Sequence, residues 1–75
     1  MKLIYESYYQ NLGQNIAFYR NRRKLTQLKL SELVEISRNH LSRIENADCA
    51  VSLDTVFAIA GALGVEPYKL FQDKE

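Results

Sequence analysis

The sequence is poor in the residue types that carry covalent or metal chemistry. Among 75 residues there is one cysteine, Cys49, and one histidine, His40, and there is no tryptophan. A single cysteine excludes a disulfide within the chain, and the lone histidine leaves no cluster of metal ligands. No nucleophile stands in a pattern with a general base. We therefore predict a protein that is not an enzyme and that uses no metal and no cofactor.

Long apolar runs are also missing. No stretch approaches the roughly 18 apolar residues that a membrane-spanning helix needs, and the N-terminus does not resemble a secretion signal. No segment alternates apolar and polar residues in the manner of a strand. With 47% hydrophobic residues, a chain of this length can form one small domain. These features predict a soluble, cytoplasmic protein with no membrane partner.

Helical spacing of apolar residues runs through the whole chain and divides it into five short helices. Helix one is expected at about residues 8–23. The expected N-terminal caps of the next three helices are Thr26, Ser37 and Ser52. Gly64 suits the end of the fourth helix, and Pro67 suits the first turn of a fifth. The pattern predicts an all-α, compact five-helix domain.

The segment "SRNHLSRIEN", residues 37–46, is very polar for a helix of a small domain. At about 100° per residue, Leu41 and Ile44 point to one side. The opposite side carries Arg38, Asn39, Ser42 and Arg43. Two short helices over about residues 26–45, joined by a three-residue turn, have the geometry of a helix-turn-helix. The polar, solvent-facing side of the second helix, about residues 38–45, therefore predicts that this helix is a recognition helix.

The net charge of +1 hides an uneven distribution. Residues 20–43 carry seven basic and two acidic side chains, whereas residues 44–75 carry two basic and six acidic ones. A basic centre beside an acidic C-terminal third is typical of a domain that presents one face to a polyanion. Small domains also divide charge in this way by chance.

Four motifs follow one another between residues 12 and 71: "LGQNIAFYR", "LTQLKLSELVEIS", "RNHLSRIEN" and "SLDTVFAIAGALGVEPYKLF". Together they resemble the Xre family, the phage repressor/Cro type of helix-turn-helix protein. The resemblance implies a five-helix, repressor-like domain over residues 12–71 that binds operator DNA, generally as a symmetric dimer. Residues 1–11 would extend helix one, and residues 72–75 would form a C-terminal tail.

The resemblance assigns roles to Arg38, Asn39, Arg43, Gln27, Asn46 and the pair Arg20 and Glu45. Position and side-chain chemistry add Ser42, Thr26 and His40. The predicted base-reading residues are Arg38, Asn39, Ser42 and Arg43. The predicted phosphate contacts are Thr26, Gln27, His40 and Asn46, although a plain solvated ring is an alternative for His40. Arg20 and Glu45 match a pair that forms an internal salt bridge. The chemistry agrees, because arginine offers a bidentate fork to guanine and asparagine pairs well with adenine.

Several residues depart from the family pattern. Lys24 and Glu35 stand where glycine is usual, so either they adopt a left-handed conformation, at about 1–2 kcal/mol relative to glycine, or the turns differ. Asp48 makes the usually basic loop after helix three acidic, which puts phosphate contacts by that loop in doubt. Ala58 and Gly61 stand where charged residues are usual.

We hypothesise that these small residues form a twofold dimer interface. The residues assigned to it are Phe57, Ala58, Gly61 and Tyr68. The alternative is that the substitutions are merely tolerated. Residues 1–11, with three tyrosines, either extend helix one and cover Phe18 or pair with another subunit.

The predicted function is that of a sequence-specific DNA-binding transcriptional regulator. We expect a repressor or controller that acts as a homodimer on an inverted-repeat operator. Its role as a phage or mobile-element repressor, a restriction–modification controller or an antitoxin stays open, as does a partner protein such as a toxin or effector. The alternative is a protein-interaction module that has lost DNA binding and uses Leu28, Leu33 or the tyrosines.

Overall fold

A computed structural model describes residues 4–73, so the first residues of the predicted extension and the end of the predicted tail lie outside it. Four α-helices follow one another: α1 (Glu6–Arg22), α2 (Gln27–Leu33), α3 (Arg38–Glu45) and α4 (Leu53–Leu63). A 3₁₀ helix (Pro67–Phe71) comes last. Within residues 4–73 there is no strand, and no helix is long and apolar enough to cross a membrane.

The prediction of an all-α helix-turn-helix domain is confirmed, but the prediction of five α-helices is wrong. The last element is a five-residue 3₁₀ helix that begins at Pro67. In its first turn the Lys69 N–H donates to the Glu66 carbonyl at 3.0 Å, the i to i+3 bond of a 3₁₀ helix. Five residues leave little room for the longer i to i+4 bonds of an α-helix, whereas i to i+3 bonds close within a segment of this length.

The three predicted N-terminal caps are confirmed. Each cap side chain accepts a hydrogen bond from the backbone N–H three residues later, which satisfies a donor that the helix leaves unpaired. The bonds are Thr26 to Lys29 (3.0 Å), Ser37 to His40 (2.9 Å) and Ser52 to Thr55 (3.1 Å). The turns between the helices are therefore specified locally, by side chains within the motif itself.

All four α-helices end in the same left-handed turn. After the turn residue, the next backbone N–H reaches back to a carbonyl five residues earlier, the Schellman arrangement. The left-handed residues are Lys24 (φ 58°), Glu35 (φ 60°), Ala47 (φ 59°) and Gly64 (φ 71°). Only α4 has the glycine that this conformation favours. Lys24 and Glu35 therefore adopt the left-handed conformation, which is the strained one of the two alternatives considered for them.

One apolar core joins all five elements. Its buried side chains are Leu12, Ile16, Leu30, Leu41, Ile44, Val56, Ile59, Ala60, Leu63 and Leu70. In α3 the buried residues are Leu41 and Ile44, as the helical wheel predicts. The rest of α3 therefore contributes little to the core and remains at the surface.

Two asparagines of α1 hold the C-terminal 3₁₀ helix. Asn15 is 2% exposed, and its Nδ2 donates to the carbonyls of Leu70 (2.9 Å) and Gln72 (2.7 Å). Asn11, one turn earlier, donates to the carbonyls of Phe71 and Gln72, both at 3.1 Å. These bonds satisfy carbonyls that a short helix leaves free at its end. This tether was not predicted from the sequence.

Gly13 allows α1 to cross the end of α3 at very short range. A Cβ atom at this position would lie 2.6 Å from the carbonyl oxygen of Ile44 and would also clash with that of Glu45. Both obstacles are backbone atoms, so no side-chain rotation can relieve the contact. A Cβ atom at Gly61, by contrast, would have no neighbour within 4 Å.

We predict opposite effects of alanine at these two glycines. Gly13→Ala should lower the free energy of unfolding by about 2 kcal/mol or more, because the backbones of α1 and α3 must separate. Gly61→Ala, the matched control, should raise that of the monomer by about 1 kcal/mol, because alanine is the better residue inside a helix and its Cβ meets no atom of its own chain within 4 Å. Urea denaturation measures both; equal stability of the two variants would contradict the close crossing.

Candidate nucleic-acid interface

The four predicted base-reading residues share the outward face of α3. Arg38, Asn39 and Arg43 are exposed, and Ser42 is half-buried at the edge of the face. Ser37 caps the helix immediately before them, so Arg38 and Asn39 stand in its first turn. The face thus presents two guanidinium groups, an amide and a hydroxyl on one rigid element.

Arg20 and Glu45 form a bidentate ion pair that joins α1 to the end of α3. Arg20 Nε lies 2.8 Å from Glu45 Oε2, and Nη2 lies 3.1 Å from Oε1. Their side chains are only 13% and 6% exposed. The third nitrogen, Nη1, donates to the Leu25 carbonyl at 2.9 Å, so the same guanidinium also fixes the turn before α2.

Gln27 completes this cluster from the start of α2. Its Nε2 donates to Glu45 Oε1 at 3.0 Å, so one carboxylate connects α1, α2 and α3. One amide hydrogen is thereby used on Glu45, and the second remains for another acceptor. Gln27 is therefore held in place by the same residues that hold the end of α3.

The other predicted phosphate contacts flank the face of α3. Thr26 is exposed beside Gln27, at the cap of α2. His40 is half-buried within α3, and Asn46 is exposed at its C-terminal cap. Arg43 donates from Nη2 to the Asp48 carbonyl at 3.3 Å, which keeps its side chain near the loop that follows α3.

The residues assigned to a dimer interface lie on other elements. Phe57, Ala58 and Gly61 are exposed on α4, and Tyr68 is exposed on the neighbouring 3₁₀ helix. Residues 6–11 extend α1, which is one of the roles considered for the N-terminal segment. Tyr5 and Tyr8 near its start pack against each other, with ring centroids 6.1 Å apart.

The comparison with known proteins points to one family. The model of the HTH_3 family, described as "Helix-turn-helix", matches residues 16–70. The chain is 46% identical over 55 residues to the immunity repressor protein of Bacillus phage phi105, covering 73% of this chain and 38% of that protein. It is 41% identical over 54 residues to antitoxin PezA of Streptococcus pneumoniae serotype 4 (strain ATCC BAA-334 / TIGR4), covering 72% and 34%.

Among solved structures, the restriction-modification controller protein C.AhdI from Aeromonas hydrophila superposes with a TM-score of 0.81 at 30% identity. The superposition covers 84% of this chain and 96% of C.AhdI. The chain thus spans only 38% and 34% of the lengths of the two curated relatives, but nearly all of the controller.

Glu45→Gln tests how far the ion-pair cluster holds the site together. It should lower the free energy of unfolding by about 3 kcal/mol, because Arg20 is left as a largely buried charge without a counter-ion. Gln27→Ala is the control, since it removes one hydrogen bond of about 1 kcal/mol and leaves the ion pair intact. Thermal or urea unfolding gives both values; a Glu45→Gln loss no greater than that of Gln27→Ala would show that the pair is dispensable.

Proposed function

The chain belongs to the HTH_3 helix-turn-helix family, and from this premise we propose that it regulates transcription by inserting α3 into the major groove of a specific operator. The membership confirms the resemblance seen in the sequence and the prediction of a DNA-binding regulator. The outward face of α3 is the observation that carries the proposal. Its polar side chains are exposed while Leu41 and Ile44 anchor the helix from behind.

Sequence would be read from the outward face of α3, whose N-terminal residues are the ones that reach base edges in helix-turn-helix proteins. Arg38 and Arg43 each offer a bidentate fork to guanine O6 and N7, and Asn39 suits adenine N6 and N7. Ser42 is shorter, so it contacts a thymine methyl group, a water molecule or a phosphate. Such a face discriminates among bases without any catalytic group, and binding alone is the mechanism.

Phosphate contacts would fix the register of α3 in the groove. Thr26 and Gln27 stand at the start of α2, where free backbone N–H groups and the helix dipole favour an anion. His40 and Asn46 lie within and after α3. These four contacts carry no sequence information, and their contribution to affinity falls as salt rises.

Two copies would bind an inverted repeat through the surface formed by Phe57, Ala58, Gly61 and Tyr68. Phe57 is 50% exposed and Tyr68 is 58% exposed, so both offer apolar surface to a second copy. The small side chains of Ala58 and Gly61, also exposed on α4, would allow close approach of a second α4. Half-sites should lie about one helical turn apart, so that both recognition helices face the same side of the duplex.

Occupancy of the operator would block or recruit polymerase in the cytoplasm. The three similar proteins named above are a phage repressor, an antitoxin and a restriction–modification controller, so similarity supports a regulator without separating these roles. The superposition on C.AhdI, at 30% identity, supports a controller role as much as the sequence matches support the other two. A toxin or effector partner fits the antitoxin role.

Asn39→Ala should relax the preference for one base in each half-site and cost about 1–3 kcal/mol of affinity for the preferred base. Sites selected from a random duplex library, then titrated by fluorescence anisotropy, measure this. Gln72→Ala, an exposed amide at the far end of the chain, should leave the selected site unchanged. A wild-type library that yields no motif at any salt would contradict operator binding and favour the protein-interaction alternative.

Gly61→Arg should dissociate the dimer. A Cβ at Gly61 meets no atom of its own chain, so the monomer tolerates the new side chain while a second α4 does not. Sedimentation equilibrium should show a monomer for Gly61→Arg and a dimer for both the wild type and Glu32→Arg, which places the same side chain on α2. An unchanged mass of Gly61→Arg would reject the α4 interface.

A further inference from the structure

A polar cleft of about 380 Å³ lies where α1 crosses the end of α3. It is lined by Gln10 and Gln14 from α1 and by Glu45, Asn46 and Ala47 from the end of α3. Three of these side chains, Gln10, Gln14 and Asn46, are primary amides. Within residues 4–73, none of the three amides has a hydrogen-bond partner.

The arrangement of the amides follows from the crossing of the two helices. Gln10 and Gln14 are one turn apart and so lie on the same face of α1. Gly13, between them, brings the backbone of α1 against the last carbonyls of α3. The two glutamines are thereby placed beside Asn46. Glutamines exposed singly on a helix are ordinary solvated residues, but three unpaired amides around one cleft are a set of converging donors.

We propose that Gln10 and Gln14, together with Asn46, donate hydrogen bonds to backbone phosphates of the bound duplex, which adds α1 to the DNA interface. The proposal rests on the function proposed above. In helix-turn-helix proteins the N-terminal residues of the recognition helix contact base edges. In the proposed complex the C-terminal end of α3 would then lie farther from the floor of the groove and nearer the phosphates. The cleft is at that end.

The cleft contains one carboxylate, which by itself would repel a phosphate, but the other groups of the cleft suit a phosphate. Both oxygens of Glu45 are already paired with Arg20, so its charge is neutralised within the protein. A primary amide supplies two N–H donors, and phosphate oxygens only accept. The amides would also stand between the phosphate and the carbonyls at the end of α3, which otherwise repel an anion.

The test adds a positive charge at each glutamine. Gln10→Lys and Gln14→Lys should each steepen the slope of log K against log salt by about 0.9 per bound subunit, because one more counterion is released from the duplex. Affinity at low salt should rise roughly fivefold, the effect of one close charge pair in water. Gln14→Glu should lower it by a similar factor. The selected site should not change, because phosphate contacts carry no sequence information.

Gln72→Lys is the matched control. It makes the same chemical change at an exposed residue whose backbone is held by Asn11 and Asn15, on a different side of α1 from the cleft. Its salt slope should equal that of the wild type. All variants are exposed on the surface, and circular dichroism checks their folding.

Three outcomes overturn the proposal in distinguishable ways. A wild-type protein that binds no duplex removes both this inference and the proposed function. If the wild type binds its site but the salt slopes of Gln10→Lys and Gln14→Lys equal that of Gln72→Lys, only the role of the cleft is rejected. A lysine variant that selects a different site would mean that the glutamines contact bases rather than phosphates.

Discussion

The buried carboxylate of Glu45 is the constraint on which the proposed DNA-binding face of α3 depends. α3 buries only two residues, Leu41 and Ile44, and two such contacts leave its rotation about its own axis poorly defined. Glu45 resolves this because its oxygens are bound by Arg20 from α1 and by Gln27 from α2. Removing an ion pair from water is costly, so its value lies in fixing the geometry as much as in net stability.

The same constraint connects folding to function. The crossing at Gly13 brings α1 against the end of α3, and the ion pair of Glu45 ties that end to α1. The outward face of α3 can then consist of residues that contribute little to stability. In the proposed function, Arg38, Asn39 and Arg43 are therefore free to match an operator, because the core behind α3 does not depend on them.

The features predicted from the sequence are those with a local signal. Helix starts could be predicted at Thr26, Ser37 and Ser52, because an N-terminal cap requires only a side-chain hydroxyl and the backbone of the next three residues. The division of α3 into a buried face and a solvent-exposed face follows from helical periodicity alone. The left-handed turns at Lys24 and Glu35 were one of two alternatives, because their side chains do not reveal the conformation that the tertiary structure imposes.

The features that were missed depend on contacts between distant segments. Asn11 and Asn15 look like ordinary polar residues of α1 until the C-terminal 3₁₀ helix places its carbonyls beside them. Their i, i+4 spacing places them together beside the buried Leu12 and Ile16 on the helical wheel, which is the one available hint. Gly13 was missed for the same reason. A side chain is excluded there only because the end of α3 packs against it in the folded structure. For the DNA contacts, the shape of the duplex decides which phosphate meets which side chain, and no residue pattern encodes it.

The most direct test of this account is a map of the DNA-bound surface by two-dimensional ¹⁵N–¹H NMR during titration with the selected duplex. The account predicts that the strongest shifts fall on the backbone signals of residues 26–28 and 38–46 and on the side-chain amides of Gln10, Gln14 and Asn39. Signals of Asn15, within the core, should move little. Strong shifts confined to α4 and the 3₁₀ helix, with α3 unaffected, would contradict the assignment of α3 as the recognition helix.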